Sequence, residues 1–302
     1  MNYSFASAYN DNPNSNTDLP SNAPLGASQK LVIFSENGFN DAMTHQTDQS
    51  ATANVIAPSA NSLMKNNAGT LVIGSSFMTP AAWGSAGPFA FASISGTPYQ
   101  TYASIQRQSS DFLGQIGLGV GNSQKFVSVV AIININDLSE VDNFSYSFSV
   151  SRHLGKLGSI SAGALHLFAD PKKTDAVKSY YLAYSHAIKK TKFSYTVGVG
   201  TGKFYENDDV DKRRGKTAPG TAVFANISYN IFKNIAVGAE WTGRNAAISS
   251  TVMIKPYLPV IAFGISELTR RSGDHPTFFM SVGKGIALRK PRNLLDKNKF
   301  GN

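Results

Sequence analysis

From Phe89 to Leu288 the chain is cut into segments of roughly ten residues, and the links between them alternate in length. Short links fall at Gly121-Asn122-Ser123-Gln124-Lys125, Leu154-Gly155-Lys156-Leu157-Gly158, Lys189-Lys190-Thr191-Lys192, Phe232-Lys233-Asn234 and Pro256-Tyr257-Leu258-Pro259. Longer polar links lie between them, at 99–110, 137–142, 170–177, 205–219 and 269–275; only Gly243-Arg244-Asn245 breaks the rhythm. Chains that reverse this often, with Gly, Asn, Ser and Pro at the reversals, form antiparallel strands joined to their neighbours. The segments read as strands are 89–98, 111–121, 126–136, 143–153, 159–169, 178–189, 192–204, 220–232, 234–243, 246–256, 258–268 and 276–287. None of this region reads as a long helix. An even strand count puts both ends of the region on one side.

The segments have two unlike faces. In Asn143 to His153, Phe144, Tyr146, Phe148 and Val150 alternate with Ser145, Ser147, Ser149 and Ser151. Successive side chains of a strand point to opposite sides, so one face is apolar and the other is a row of hydroxyls. The pattern recurs. Phe193, Tyr195, Val197 and Val199 oppose Ser194, Thr196, Gly198 and Gly200; Val223, Ile227, Tyr229 and Ile231 oppose Phe224, Asn226, Ser228 and Asn230; Ile235, Val237 and Trp241 oppose Ala236, Gly238 and Glu240; Phe112, Ile116, Leu118 and Val120 oppose Leu113, Gln115, Gly117 and Gly119. Segments 89–98 and 159–169 alternate poorly, as bulged strands do. Only 16% of the chain is charged, against roughly a quarter in soluble globular domains. The charges gather in the links, as at Lys172-Lys173 and Asp208 to Arg214. A water-facing sheet would carry Lys and Glu on its polar face. Here that face is small and almost uncharged, which fits a lumen, with the apolar face toward lipid.

These residues resemble bacterial outer-membrane β-barrel proteins of the porin-like, twelve-strand size. The resemblance rests on strand and link-length alternation, on the runs Gly117-Leu118-Gly119-Val120-Gly121 and Val197-Gly198-Val199-Gly200-Thr201-Gly202, and on aromatics near strand ends such as Phe144, Phe193, Tyr229 and Trp241. It implies an all-β, antiparallel, up-and-down transmembrane barrel of about twelve strands over 88–288 and a bacterial-type outer-membrane location, with no site residue carried over. Such barrels usually end on an aromatic; here the last strand closes near Ile286-Ala287-Leu288 and a basic tail, 289–302, follows. Residues 1–87, rich in Asn, Ser, Ala and Pro, form a mostly irregular extension that plugs the lumen or lies in the periplasm. Its apolar runs are Leu31-Val32-Ile33-Phe34 and Leu71-Val72-Ile73, before a Gly/Pro/Ala connector to Pro88.

The expected function is a narrow porin-like channel for small solutes, mildly favouring anions because the net charge is +9, or a plugged structural barrel. The partners are outer-membrane lipid and small solutes; no nucleic-acid motif accompanies the positive charge. The chain has no Cys, so no disulfide or thiolate chemistry, and no apolar run long enough for a transmembrane helix. Met1-Asn2-Tyr3-Ser4-Phe5 does not read as a signal peptide. Three alternatives stand beside the channel: a soluble secreted or virion β-structural protein, a membrane-embedded lipase, and an autotransporter-like barrel whose residues 1–87 pass outward.

Pore-lining candidates are Glu240, Arg244, Ser145, Ser147, Ser149, Asn226 and Gln115. Glu240 and Arg244 sit four positions apart on one polar face, too far to pair with each other; each sets the field of a pore, or pairs with a neighbouring strand or with the extension. Ser151 and His153 share a face and have the chemistry of a base-activated hydroxyl, but no third orienting group is visible. His166 and His186 lie on different strands without carboxylate or Cys company, and Gly198, Gly200 and Gly202 have no following helix to present to a phosphate. Asp208-Asp209-Val210-Asp211 offers oxygens for Ca²⁺, yet Lys212-Arg213-Arg214 follow at once. No catalytic residue, metal or cofactor is therefore expected.

Overall fold

The computed structural model describes residues 76–99 and 110–288, apart from short stretches within the connections. The strands are β1 (Phe89–Thr97), β2 (Asp111–Gly121), β3 (Ser128–Ile135), β4 (Phe144–Leu154), β5 (Gly158–Leu167), β6 (Ser179–Ala187), β7 (Phe193–Gly200), β8 (Val223–Phe232), β9 (Ile235–Trp241), β10 (Ala246–Met253), β11 (Val260–Ser266) and β12 (Thr277–Ala287). Each pairs antiparallel with its sequence neighbours, and β1 pairs with β12 from Phe89↔Ala287 to Gly96↔Met280, closing a twelve-strand barrel. Closure leaves no strand edge unpaired. The other short links fall at one end, here the turn end, where β1 starts and β12 stops; the longer ones share the opposite, loop end with the short β9–β10 connection.

The faces fall as the alternation requires. Phe144, Tyr146, Phe148 and Val150 point out, each about two-fifths exposed, whereas Ser145, Ser147 and Ser151 are buried inside. Phe112, Ile116, Leu118, Val120, Ile227 and Val199 are exposed in the same way around the wall. The strands hold four charged residues, Asp111, Arg152, Glu240 and Lys284, of which Arg152 and Lys284 face outward, both close to the turn end. An outer surface this apolar is stable only against hydrocarbon, and long cationic side chains near its rim can reach the headgroups. The chain is built as a membrane-spanning barrel. Among the described residues no helix is long and apolar enough to cross a membrane.

The two poorly alternating segments have separate causes. On β5 an extra residue is inserted: Phe148 pairs with Ala164 but Tyr146 with Leu167, so Leu165 and His166 are both buried, with His166 at φ 53. On β1 the ladder is regular but Phe89 and Phe91 point inward. Their rings fill the space a side chain on β2 would need: a Cβ on Gly119 would lie 2.0 Å from the Phe89 ring, and one on Gly117 2.3 Å from Phe91. The second Gly-rich run works in the same way, with Gly198 beneath Phe224 and Gly200 beneath Phe204. The expected strand 192–204 ends at Gly200, where the chain turns through Gly202 (φ 58) into a single 3-10 turn, Gly202–Phe204.

The barrel is not hollow. Residues 76–88 lie within it, Ser76 to Pro80 and Ala82 to Ser85 wholly buried. Inward side chains pack on this segment in patches: Phe77 and Met78 with Ala247, Ala262 and Phe279; Ala82 with Leu165, Tyr181, Phe204 and Phe224; Trp83 with Ala187. Leu31–Phe34, Leu71–Gly74, His45, Asp208–Val210 and the tail 289–302 lie outside the described residues.

Candidate functional site

The most concentrated polar arrangement in the lumen is built around Glu240. It sits one residue before the end of β9, facing inward between Asn226 of β8 and Ala247 of β10. Residues 76–79 turn tightly beneath it, so that successive backbone N–H groups converge on the carboxylate, the kind of concavity that binds anions. Oε1 accepts from Phe77 N at 2.7 Å and from Ser249 Oγ at 3.2 Å. Oε2 accepts from Met78 N, Thr79 N, Ser76 Oγ and Thr79 Oγ1, each at 2.9 Å. Asn226 Nδ2 donates to Thr79 Oγ1 at 3.3 Å, and the Phe77 ring stacks on Phe279 with centroids 4.1 Å apart. A carboxylate 4% exposed would be very costly alone; these donors replace its water.

The serines of the wall hold the rest of the segment. Ala82 N donates to Ser185 Oγ at 2.8 Å, and Ala82 O accepts from Ser159 Oγ at 2.6 Å. Ser85 N donates to Ser128 Oγ at 3.1 Å, while Ser85 O accepts from both N and Oγ of Ser123 at 2.9 Å. Asn122 Nδ2 donates to Ala86 O at 2.9 Å. Gly84 passes so close to the wall that a Cβ there would be 2.5 Å from Ser123 Cβ and 2.8 Å from Ser151 Cβ. An irregular backbone buried in a barrel must find partners outside its own secondary structure. Small hydroxyls at fixed positions supply them without filling the space.

The structure places the sequence candidates as follows. Gln115, Ser145, Ser147, Asn226 and Glu240 are inward and buried, and Ser149 is inward and half-buried. Gln115 Nε2 donates to Asn134 Oδ1 at 3.0 Å, and Asn134 Nδ2 reaches Ser145 Oγ and Ser147 Oγ at 3.2 and 3.0 Å. These residues form a bonded network across β2, β3 and β4. Arg244 is not on β9, as its spacing from Glu240 implied. The strand stops at Trp241, Gly243 turns at φ 96, and Arg244 lies in the β9–β10 connection, in a buried ion pair with Asp211. Of the two readings open for Glu240 and Arg244, each has found a partner elsewhere, Glu240 in the extension itself.

The serine and histidine candidates form no relay. His153 Nδ1 is 2.8 Å from Ser123 Oγ, not engaged with Ser151, and its ring lies 6.1 Å from Trp83. A second contact, unseen in the sequence, joins Ser145 Oγ to His166 Nδ1 at 3.0 Å, with Ser145 donating to Asn136 Oδ1 at 3.1 Å. In a hydrolytic triad the third residue orients the imidazole; here Asn136 contacts the serine, and both Ser145 and His166 are at most 1% exposed. His186 points outward beside Tyr184, whose hydroxyl is 3.0 Å from its Nδ1. Among the described residues no group of three His, Asp or Glu is arranged for a metal.

Sequence reasoning passed over Lys203 and residues 77–86. Lys203 lies in the 3-10 turn at the loop end, its ammonium buried 5.1 Å from the Phe204 ring centroid. Burial pushes it down to about 7, while the charge of Glu240 pulls the other way. The available signals were two: one acid on an otherwise uncharged face, which needs donors, and Phe77, Met78 and Trp83 clustered in an otherwise polar run just before the barrel.

No family model matches the chain, and no curated protein matches it. Among solved structures it is similar to a KdgM porin at 8% identity and TM-score 0.42, over 66% of this chain and 99% of that one. An outer membrane channel from Pseudomonas putida F1 gives 7% identity and TM-score 0.41 over 68% and 98%. Outer membrane phospholipase A from Escherichia coli gives 11% and 0.37 over 65% and 88%. At these values no residue role transfers from any of them.

Proposed function

We propose that the protein is an outer-membrane channel for small solutes whose lumen is held closed by residues 76–88. The observation that carries this reading is the Glu240 carboxylate, set in the wall and bonded to four consecutive residues of the internal segment. A barrel of twelve strands is wide enough to leave free space inside, and here that space is filled by chain. Release of the 76–79 turn from Glu240 loosens the segment and opens a path beside it, along the Ser, Thr, Asn and Gln side chains of the wall. The wall charge is small. Among the described residues the buried charged ones are Asp111, Asp211, Glu240 and Glu267 against Lys203 and Arg244, so the anion preference expected from the net charge of +9 gains no support from them. We take the open channel to discriminate mainly by size, with a slight bias toward cations once Glu240 is uncovered.

The test is conductance in planar bilayers. The intact chain gives rare or brief openings, and a chain lacking residues 76–87 gives steady single-channel steps. Absence of conductance from both sinks the proposal and leaves a barrel that serves as a membrane anchor.

A further inference from the structure

Strand direction fixes which way the internal segment runs. Every odd-numbered strand climbs from the turn end to the loop end, so Glu240, next to last in β9, lies near the loop end. Ser76 to Thr79 are held there, and Phe77 stacks on Phe279, the third residue of β12 as that strand leaves the loop end. Ala82 is already lower, between Ser159, the second residue of β5, and Ser185, third from the end of β6, both near the turn end. Ser85 and Ala86 reach the β2–β3 turn itself through Ser123 and Asn122, and Pro88 O accepts from Leu288 N where both termini of the barrel meet. The segment thus descends the lumen once, without doubling back. Thirteen residues, 76–88, span up to about 43 Å when extended at roughly 3.3 Å each, more than the apolar band of about 25 Å on such a barrel.

We infer that the chain preceding Ser76 leaves the barrel through its loop-end mouth, so that the barrel carries its N-terminal arm across the membrane and holds it on the side of the long loops. A plug that stays on the turn side would enter and leave by the same mouth; this one does not. The same residues that close the lumen tether the arm, which makes closure and display two consequences of one path. The arm is polar, rich in Asn, Ser and Thr, with short apolar runs at Leu31–Phe34 and Leu71–Ile73, a composition suited to an aqueous exterior. The inference does not depend on conduction, since a permanently closed barrel would display the arm equally well.

The natural chain has no Cys, so single cysteines report position without background. Asn66→Cys and Thr47→Cys mark the arm, Thr217→Cys the exposed β7–β8 loop and Lys125→Cys the exposed β2–β3 turn. Each is treated on intact cells, then after permeabilisation, with a bulky membrane-impermeant maleimide. The expected result is that both arm positions label together with Thr217→Cys, under the same condition and to a similar extent, and apart from Lys125→Cys. Labelling of the arm with Lys125→Cys instead overturns the inference while leaving the barrel intact. Equal labelling of Thr217→Cys and Lys125→Cys before permeabilisation overturns the membrane-spanning reading itself, and the inference with it.

Discussion

Replacing Glu240 with Ala isolates the contact on which closure depends. Three backbone N–H groups, of Phe77, Met78 and Thr79, lose a charged acceptor, and the Ser76 and Thr79 hydroxyls lose the same partner. A hydrogen bond to a charged group is worth roughly 1.5–3 kcal/mol, so the backbone bonds alone sum to about 4.5–9 kcal/mol. That sum is a ceiling, because bonds to one carboxylate are not additive and water entering the vacated space restores part of them. With two or three buried donors left short at roughly 1–3 kcal/mol each, and partly re-solvated, the net loss is about 3–4 kcal/mol, and each 1.4 kcal/mol is tenfold. The ratio of released to seated segment should therefore rise roughly 10²- to 10³-fold. Ala82 to Ala86 remain bonded to the lower wall, so openings should be frequent but partial. Glu240→Gln keeps one acceptor oxygen but turns an NH₂ toward backbone donors, and should fall between wild type and Ala. The assay is single-channel recording, with heat-modifiable gel mobility confirming that each variant still folds. If Glu240→Ala is as silent as wild type while the chain lacking 76–87 conducts, Glu240 is not what holds the lumen closed.

Three further outcomes follow from the wall and its loop-end rim. Gly198→Ala places a Cβ 2.1 Å from the buried Phe224 ring and 2.6 Å from Leu182 O, whereas Gly238→Ala meets nothing closer than 3.4 Å; the first should lose about 1–3 kcal/mol by overpacking in urea titrations of the vesicle-bound protein, and the second almost nothing. Ile116→Arg, mid-strand and outward on β2, should cost about 2–4 kcal/mol at the bilayer midplane in the same titration. Lys203→Met should be stabilising near neutral pH, and its advantage should shrink as pH rises. Folded Lys203 loses its proton near 7, the unfolded chain near its ordinary value of 10.5, so wild-type stability rises with pH between those values and the penalty of burial is fully present only below them.

The sequence reveals the wall far more fully than the contents. All twelve strands are legible, because closure leaves each one half in lipid and half inside, and that boundary imposes a period of two on every strand. Phe144 to Val150 against Ser145 to Ser151 carries the signal without help from any other segment. The exceptions are places where something else competes for the inward face. Phe89 and Phe91 break the pattern because β2 offers glycines to lie against, and β5 breaks it through a bulge at Leu165 and His166. Arg244 reads as a continuation of β9 because nothing local marks Trp241 as the last paired residue; the Gly243 turn does so only once the β9–β10 ladder is known. The internal segment had no such period. Its backbone bonds are made to side chains up to 163 positions away, so its buried residues follow the wall's geometry and not a repeat of their own. Glu240 reads from its own strand as a pore-lining candidate, and its partners in residues 76–79 are invisible from there.

The central claim is that residues 76–88 occupy the lumen, and Ala82 reports on it most directly. It is 0% exposed, fixed between Ser185 and Ser159, and Cys adds only one atom there. In the folded, detergent-solubilised protein Ala82→Cys should resist a small maleimide that reacts readily with Lys125→Cys, and should become equally reactive once the barrel is unfolded. Reaction of Ala82→Cys in the folded protein at the rate of Lys125→Cys would mean that the segment lies outside the barrel, and the account of a closed lumen would be wrong.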